Sequence, residues 1–209
     1  AAAILMAALL AGAPVCALGQ DAGSAVSASF GAEARLRYEG YDEPAWGDAT
    51  DDAYLWLRLI PRVQVEAGPA AFVIQPIIAH AIGVTGGPGP TDRTGMDLLQ
   101  AYAELRQPLG EDTKVSLRAG RMLIALGSQR LVGTRYGPNV PQPFDGVQAS
   151  LTRGSARLDL IDARAVTIGP DAFDDSSSGG RRLRSAYLTA EAVDDVHFDL
   201  YWIGSHDPA

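Results

Sequence analysis

The residues of this chain best suited to bind a ligand are charged side chains at alternate positions. Glu33, Arg35 and Arg37 follow one another at every second position, and Arg58 and Arg62 continue the pattern further along. A guanidinium is a planar fork that pairs bidentately with carboxylates. Rows of arginine with interspersed carboxylates could therefore attract an anion without trapping it. The candidate residues are Arg35, Arg37, Arg58, Arg62, Arg106, Arg118, Arg121 and Arg130, with Glu33, Glu104 and Asp145 as acidic partners.

The composition of the chain further limits the ligands and reactions that are expected. The formal net charge is −8, which argues against nucleic acid as a partner. Lys114 is the only lysine among the 17 basic residues, so 16 are arginine. This bias permits a carboxylate-rich ligand, although a high-GC genome also favours arginine. The single cysteine, Cys16, lies in the leader described below, so we expect no disulfide and no thiol chemistry in the mature chain.

The charged residues lie in segments that alternate polar and apolar side chains. Leu55, Leu57 and Leu59, for example, alternate with Trp56 and Arg58. Such period-two patterning predicts strands with one class of residue on each face. A basic side chain facing lipid near the bilayer middle costs about 2 to 4 kcal/mol, so the charged face should enclose water. The predicted strands cover 29–39, 53–66, 71–82, 96–106, 114–121, 144–153, 156–166, 184–191 and 196–203.

The connections between these nine segments alternate between short turns and long loops. Tight turns such as Gly68-Pro69 and Gly154-Ser155 alternate with loops such as 40–52 and 122–143. Transmembrane β-barrels have short turns at one end and long loops at the other, whereas a soluble β-sandwich has no reason to sort loop length by end. The predicted fold is therefore all-β, a transmembrane antiparallel β-barrel, with a soluble β-protein as the alternative.

The first residues resemble a secretory leader. Residues 1–17 are uncharged, rich in alanine and leucine, and end in Val15-Cys16-Ala17. We interpret them as a signal peptide that lacks its start and exclude them from the fold. Residues 18–209 then form the barrel part, exported to the outer membrane.

Other polar groups give weaker signals. Asp171, Asp174 and Asp175 could bind a hard cation, but they lack the spacing of a calcium loop, so a solvated loop is the favoured interpretation. The histidines have no metal-ligand partners at useful spacing, and no catalytic constellation emerges. We expect no enzyme activity, no cofactor and no metal.

Four short motifs occur in order between the fifth and sixth predicted strands. They are Gly120-Arg121, Leu126-Gly127-Ser128-Gln129-Arg130-Leu131, Gly137-Pro138-Asn139 and Phe144-Asp145-Gly146-Val147. This succession resembles the alginate export family of outer-membrane proteins. The resemblance implies an 18-stranded barrel whose lumen is narrowed by inward-folded loops and lined by arginine, through which a polyuronate leaves the periplasm. The nine strands here would be the amino-terminal half of such a barrel.

Three functions are compatible with these features. The first is a passive, anion-selective outer-membrane channel for an alginate-like polysaccharide or related carboxylates, with outer-membrane lipid and periplasmic export proteins as partners. The second is an uptake porin for organic acids or sugars. The third is an outer-membrane barrel enzyme or a carbohydrate-binding β-protein of the envelope. Polymer synthases among the genomic neighbours would favour the first, and catabolic genes the second.

Overall fold

The computed structural model describes residues 26–42, 51–193 and 196–206. The predicted signal peptide, residues 1–17, lies outside this part of the chain. Within it, nine strands form a single sheet in which each strand pairs antiparallel with the next. The strands are β1 (Val26–Tyr41), β2 (Asp52–Ala67), β3 (Ala70–Ile82), β4 (Thr94–Pro108), β5 (Thr113–Met122), β6 (Phe144–Arg153), β7 (Ala156–Thr167), β8 (Ser176–Val193) and β9 (Val196–His206).

All nine predicted strands are present, and most extend a few residues beyond the alternating segment. The largest difference is β8, which begins at Ser176 rather than at residue 184. After a register shift, Ser176 and Ser177 pair with Thr167 and Val166 of β7. This extension is rich in serine and glycine. It therefore lacks the alternation of polar and apolar residues from which the other strands were predicted. A register shift lies between Gln75 and Pro76, where the proline lacks the N–H that one ladder hydrogen bond needs.

The connections sort by length as expected for a barrel. One end of the sheet carries the turns 68–69, 109–112 and 154–155, whereas the other carries the connections 83–93, 123–143 and 168–175. Antiparallel neighbours place alternate connections at opposite ends of a sheet. The end with the long connections is the external end in outer-membrane barrels. None of the described residues forms a helix long and apolar enough to cross a membrane.

The two faces of the sheet differ in chemistry. On one face, the outer face, apolar residues pair across strands, as in Leu36 with Leu57 and Leu105 with Leu117. Leu105 and Leu117 are 50% and 48% exposed, so nothing in the described chain covers this face. The opposite, inner face carries the pair of Arg35 with Arg58. An exposed apolar band of this kind is the surface that barrels present to lipid.

Part of the inner face is apolar and covered, which the sequence pattern did not predict. Ile60, Ile77 and Leu99 are at most 1% exposed there and pack with Val140 of the long connection 123–143. A second cluster joins Ile124, Leu126 and Val132 of the same connection to Val73, Tyr102 and other strand residues. The connection 123–143, which we call the inner segment, therefore lies across the inner face and buries it.

Candidate pore-lining site

Arginines of β1 and β2 hold one end of the inner segment. Arg35 donates to the carbonyl oxygens of Tyr136 at 3.1 Å and Pro138 at 2.8 Å, and Arg37 donates to that of Gly137 at 2.8 Å. Arg58, only 3% exposed, donates to the carbonyl oxygen of Asn139 at 3.3 Å. The Gly137-Pro138-Asn139 motif is thus bound through its backbone, and three of the predicted anion-binding arginines are occupied by the chain itself.

Glu33 is the acidic partner of this group. Its carboxylate lies 2.5 Å from the Arg58 guanidinium and accepts a hydrogen bond from the Tyr136 hydroxyl. The Arg58 guanidinium also lies 4.5 Å from the centre of the Tyr136 ring, a cation–π contact. Desolvation and the hydrogen bond to Glu33 together raise the pKa of Tyr136 to about 12, so it stays a neutral donor at physiological pH. Nothing in the local sequence around Tyr136 marks this residue as part of the site.

Asn139 fixes the inner segment to the backbone of the sheet. Its side chain is fully buried, and its amide nitrogen lies 3.0 Å from the carbonyl oxygens of Leu57 and His80 and 2.9 Å from that of Asp92. Its amide oxygen accepts from Arg35 at 3.3 Å. Buried amides are retained where each polar atom finds a partner. Asn139 thus connects β2, β3 and the connection 83–93 to the inner segment.

Nearer the short turns, the inner face carries an open ladder of opposite charges. Glu104 lies 2.8 Å from Arg106 and 3.3 Å from Arg118, and Arg106 also reaches Glu66 at 3.1 Å. The Arg106 side chain is 49% exposed, whereas that of Glu104 is 5% exposed. The carboxylates therefore hold the guanidinium groups in place while leaving one edge of Arg106 to solvent. This is the part of the predicted set that the structure brings together most clearly.

A second part of this ladder was missed by the sequence analysis. Arg157 donates to both carboxylate oxygens of Asp159, at 2.7 and 2.8 Å, and Asp159 accepts further hydrogen bonds from Gln148 and Ser150. Arg157 and Asp159 alternate with apolar neighbours in β7, the same signal that identified Arg35 and Arg37. We call the inner-face group of Glu66, Glu104, Arg106, Arg118, Arg157 and Asp159 the charged ladder.

Arg62 also lies on the inner face, and its charge is not neutralised locally. It pairs with Gly31 of β1, one row beyond the Glu33 position, and donates to the Gln64 side chain at 2.8 Å. Among the residues that the structure describes, it forms no salt bridge. Arg62 is therefore a predicted pore-lining residue whose charge no carboxylate offsets within the described part of the chain.

Arg121 and Asp145 are paired directly with each other across β5 and β6. Arg121 binds Asp145 through two hydrogen bonds of 2.8 and 3.0 Å. The Arg121 side chain is only 14% exposed, and it reaches Asp97, whose cross-strand partner Ile77 belongs to the covered apolar cluster of the inner face. The pair is thus bound within the chain, and a role of Arg121 and Asp145 in lining the pore stays a prediction.

Arg121 also meets a cluster of acids near the external end. Carboxylate oxygens of Asp97, Asp174 and Asp175 lie within 4.8 Å of one another, and the Arg121 guanidinium is 3.5 Å from Asp97 and 3.9 Å from Asp175. Burial, with Asp97 nearby, raises the pKa of Asp175 to about 6. The Arg121 guanidinium therefore already supplies the positive charge that a bound cation would bring to this acidic cluster.

Of the remaining predicted residues, Arg130 is exposed in the inner segment and forms no hydrogen bond or salt bridge within the described ranges.

Gly120 and Gly146, two glycines of the motifs, are needed because backbones approach closely there. They pair with each other in β5 and β6. A Cβ on Gly120, which has φ of +129°, would lie 2.3 Å from the Ala101 carbonyl oxygen, and one on Gly146 would lie 2.4 Å from that of Asp162. Only glycine fits both positions without moving a strand.

An antiparallel sheet with an exposed apolar face, a charged inner face and long connections at one end defines an outer-membrane β-barrel protein. The chain matches the model of the family named Alginate export over residues 26–208. It therefore belongs to the alginate export family, a family of transport channels, which assigns it to polysaccharide export across the outer membrane. Nothing among the curated proteins or the solved structures matches it.

Proposed function

We propose that the protein is a passive channel that conducts an anionic polysaccharide, an alginate-like polyuronate or a related carboxylate, through a lumen lined by the arginines of the inner face. The charged ladder is the observation that carries this proposal. A polyanion needs positive charge along its path, but unpaired guanidinium groups would bind it too tightly to release it. Carboxylates that hold each arginine in place weaken that binding.

The geometry of Arg106 and Arg157 fits this role. Both side chains are 49% exposed, whereas their partners Glu104 and Asp159 are 5% and 9% exposed. The acids thus lie beneath the arginines, and a passing carboxylate meets guanidinium groups first. Arg62 adds a charge without a carboxylate partner among the described residues. Transport through such a lumen needs no chemical step, consistent with a channel rather than an enzyme.

The inner segment supplies the narrowing that selectivity requires. It covers the inner face near the external end and is held by Arg35, Arg58 and Asn139. We infer that the polymer passes the charged ladder first, from the turn end, and then the narrowed part beneath the long connections. Periplasmic export proteins would deliver the polymer to the turn end.

Charge reversal at Arg62 tests the proposal. Arg62→Glu in the full-length protein should lower anion-over-cation selectivity in planar bilayers, because the residue faces the lumen and has only a neutral partner. Arg153→Glu is the matched control, since Arg153 pairs with Thr113 and Ala156 beside the turn and shares the outer face with Leu151. Cation-selective current from the unmodified protein, or equal effects of both variants, would contradict the proposal.

A further inference from the structure

The outer face of β7 and β8 changes from apolar to charged toward the external end. In successive rows on this face, Leu158 pairs with Leu188, Leu160 with Ala186, Asp162 with Arg184, and Arg164 with Arg182. Consecutive rows on one face are about 7 Å apart. The three arginines therefore lie within about 15 Å of the apolar band, on the surface that faces lipid rather than the lumen.

A tryptophan marks the boundary between the two zones. Trp202 of β9 pairs with Ala186, beside the last apolar row, and is 61% exposed. Tryptophan concentrates where hydrocarbon meets the headgroups, because its ring is apolar and its N–H is a donor. The charged rows beyond it, at Arg184 and Arg182, thus lie at the depth of the lipid headgroups.

Positive charge exceeds negative charge in these rows. Asp162 accepts two hydrogen bonds from Arg182, at 2.6 and 2.5 Å, and lies 3.6 Å from Arg184. Arg164 forms no hydrogen bond or salt bridge within the described residues and stands directly opposite Arg182. Like charges in directly opposed positions destabilise a sheet. Asp145 stands opposite Arg164 on β6, but its carboxylate is bound by Arg121. The three arginines of β7 and β8 therefore exceed Asp162, the carboxylate that they share, and leave room for an external anion.

A cavity beside these arginines can receive such an anion. It has a volume of about 290 Å³ and is lined by Arg182, Arg184, Trp202, Gly204, Ser205 and His206. Gly204 has no side chain to fill it, and a Cβ there would lie 3.2 Å from the Trp202 ring. Guanidinium groups bind phosphate oxygens bidentately. The cavity therefore combines hydrogen-bond donors that can bind a phosphate with an aromatic ring at the lipid boundary.

We propose that Arg164, Arg182 and Arg184, here called the outer-face arginine cluster, bind the phosphate group of an anionic lipid in the outer leaflet. The position favours a lipid over a free anion, because the same face becomes apolar one row below and would contact the acyl chains of that lipid. The bound phosphate neutralises the opposed arginines and fixes the depth of the barrel. This role is separate from conduction, since the cluster does not face the lumen.

The test measures lipid binding to the full-length protein by native mass spectrometry from detergent. Diphosphorylated lipid A and its dephosphorylated form serve as probes, with the unmodified protein and the variant R164Q/R184Q. Arg182 is left unchanged because it pairs with Asp162. The control variant is R153Q, on the same face beside the turn end. A heat-modifiable band on gels verifies that each variant is folded, and R164Q alone replaces the double variant if it is not.

The proposal predicts that diphosphorylated lipid A binds the unmodified protein and R153Q at least tenfold more tightly than it binds R164Q/R184Q. The dephosphorylated lipid should bind all three alike, and conductance should not change. Equal binding of the phosphorylated lipid to all three proteins would overturn the proposal. So would complete displacement by millimolar inorganic phosphate, because the cluster would then be a site for the free ion.

Discussion

Removing the side chain of Asn139 should release the inner segment. Asn139→Ala deletes the amide that contacts the carbonyl oxygens of Leu57, His80 and Asp92 and that accepts from Arg35. One amide group has two N–H donors, so about two of the three carbonyl contacts are full hydrogen bonds at any moment. Their buried acceptors would lose their partner without gaining water.

The expected cost follows from these contacts. A buried polar group left without its partner costs about 1 to 3 kcal/mol, so two such groups cost about 2 to 6 kcal/mol in total. Every 1.4 kcal/mol is tenfold in an equilibrium, so the released state of the inner segment should become roughly 30 to 20,000 times more populated. The apolar contacts of Val140 with Ile60 and Leu99 remain and should keep the barrel folded.

Hydrogen exchange and conductance measure this release. In Asn139→Ala, amides of residues 123–143 should exchange faster while those of β2 and β3 keep their protection, and the single-channel conductance should rise. Ser128→Ala, an exposed position in the same segment, is the matched control and should change neither quantity. Unchanged exchange of 123–143 in Asn139→Ala would show that the amide does not hold the segment.

Three further predictions concern stability. Arg58→Met should lower the free energy of unfolding by about 1 to 3 kcal/mol, because it leaves the Glu33 carboxylate without its 2.5 Å partner; equal denaturation midpoints would contradict this. Gly146→Ala should cost about 1 to 3 kcal/mol, since the new Cβ would lie 2.6 Å from that of Ala163, and a thermal melt at the unmodified midpoint would refute the close approach. Because the folded pKa of Asp175 is about 6 and its ordinary value 3.8, protection of residues 168–175 should fall as pH rises from about 4 to 6 and then level off. Asp175→Asn should remove this pH dependence, and a retained dependence would point to another group.

Much of the fold was accessible from the sequence because lipid and water impose alternation on a barrel strand. The segment 144–153 matches β6 at both ends, and Arg35, Arg37 and Arg58 do lie on one face. The alternation of polar and apolar residues is absent where neither lipid nor water selects the residue type. The start of β8 at Ser176 is such a place, because a strand beyond the membrane needs no apolar face.

The site was predicted less completely than the fold. The charge pattern identified Arg121 and Asp145, but not that Arg121 would bind Asp145 and reach Asp97. Long-range contacts were also invisible: nothing local indicates that the carbonyl oxygen of Pro138 will meet Arg35, 103 positions away in sequence. The pattern thus identified the arginines, but not that several of them bind the chain itself.

The central claim is that leucine-bearing and arginine-bearing sides of the same strands face lipid and water, respectively. Leu117 and Arg118 test it most directly, because they are neighbours in β5 on opposite faces. Single cysteines at these positions in the full-length protein, reconstituted in liposomes, should behave differently. A fluorophore at Leu117→Cys should be quenched by brominated lipid and not by aqueous iodide, whereas one at Arg118→Cys should show the reverse. Quenching of both by iodide alone, or the opposite assignment, would contradict the barrel orientation proposed for this chain.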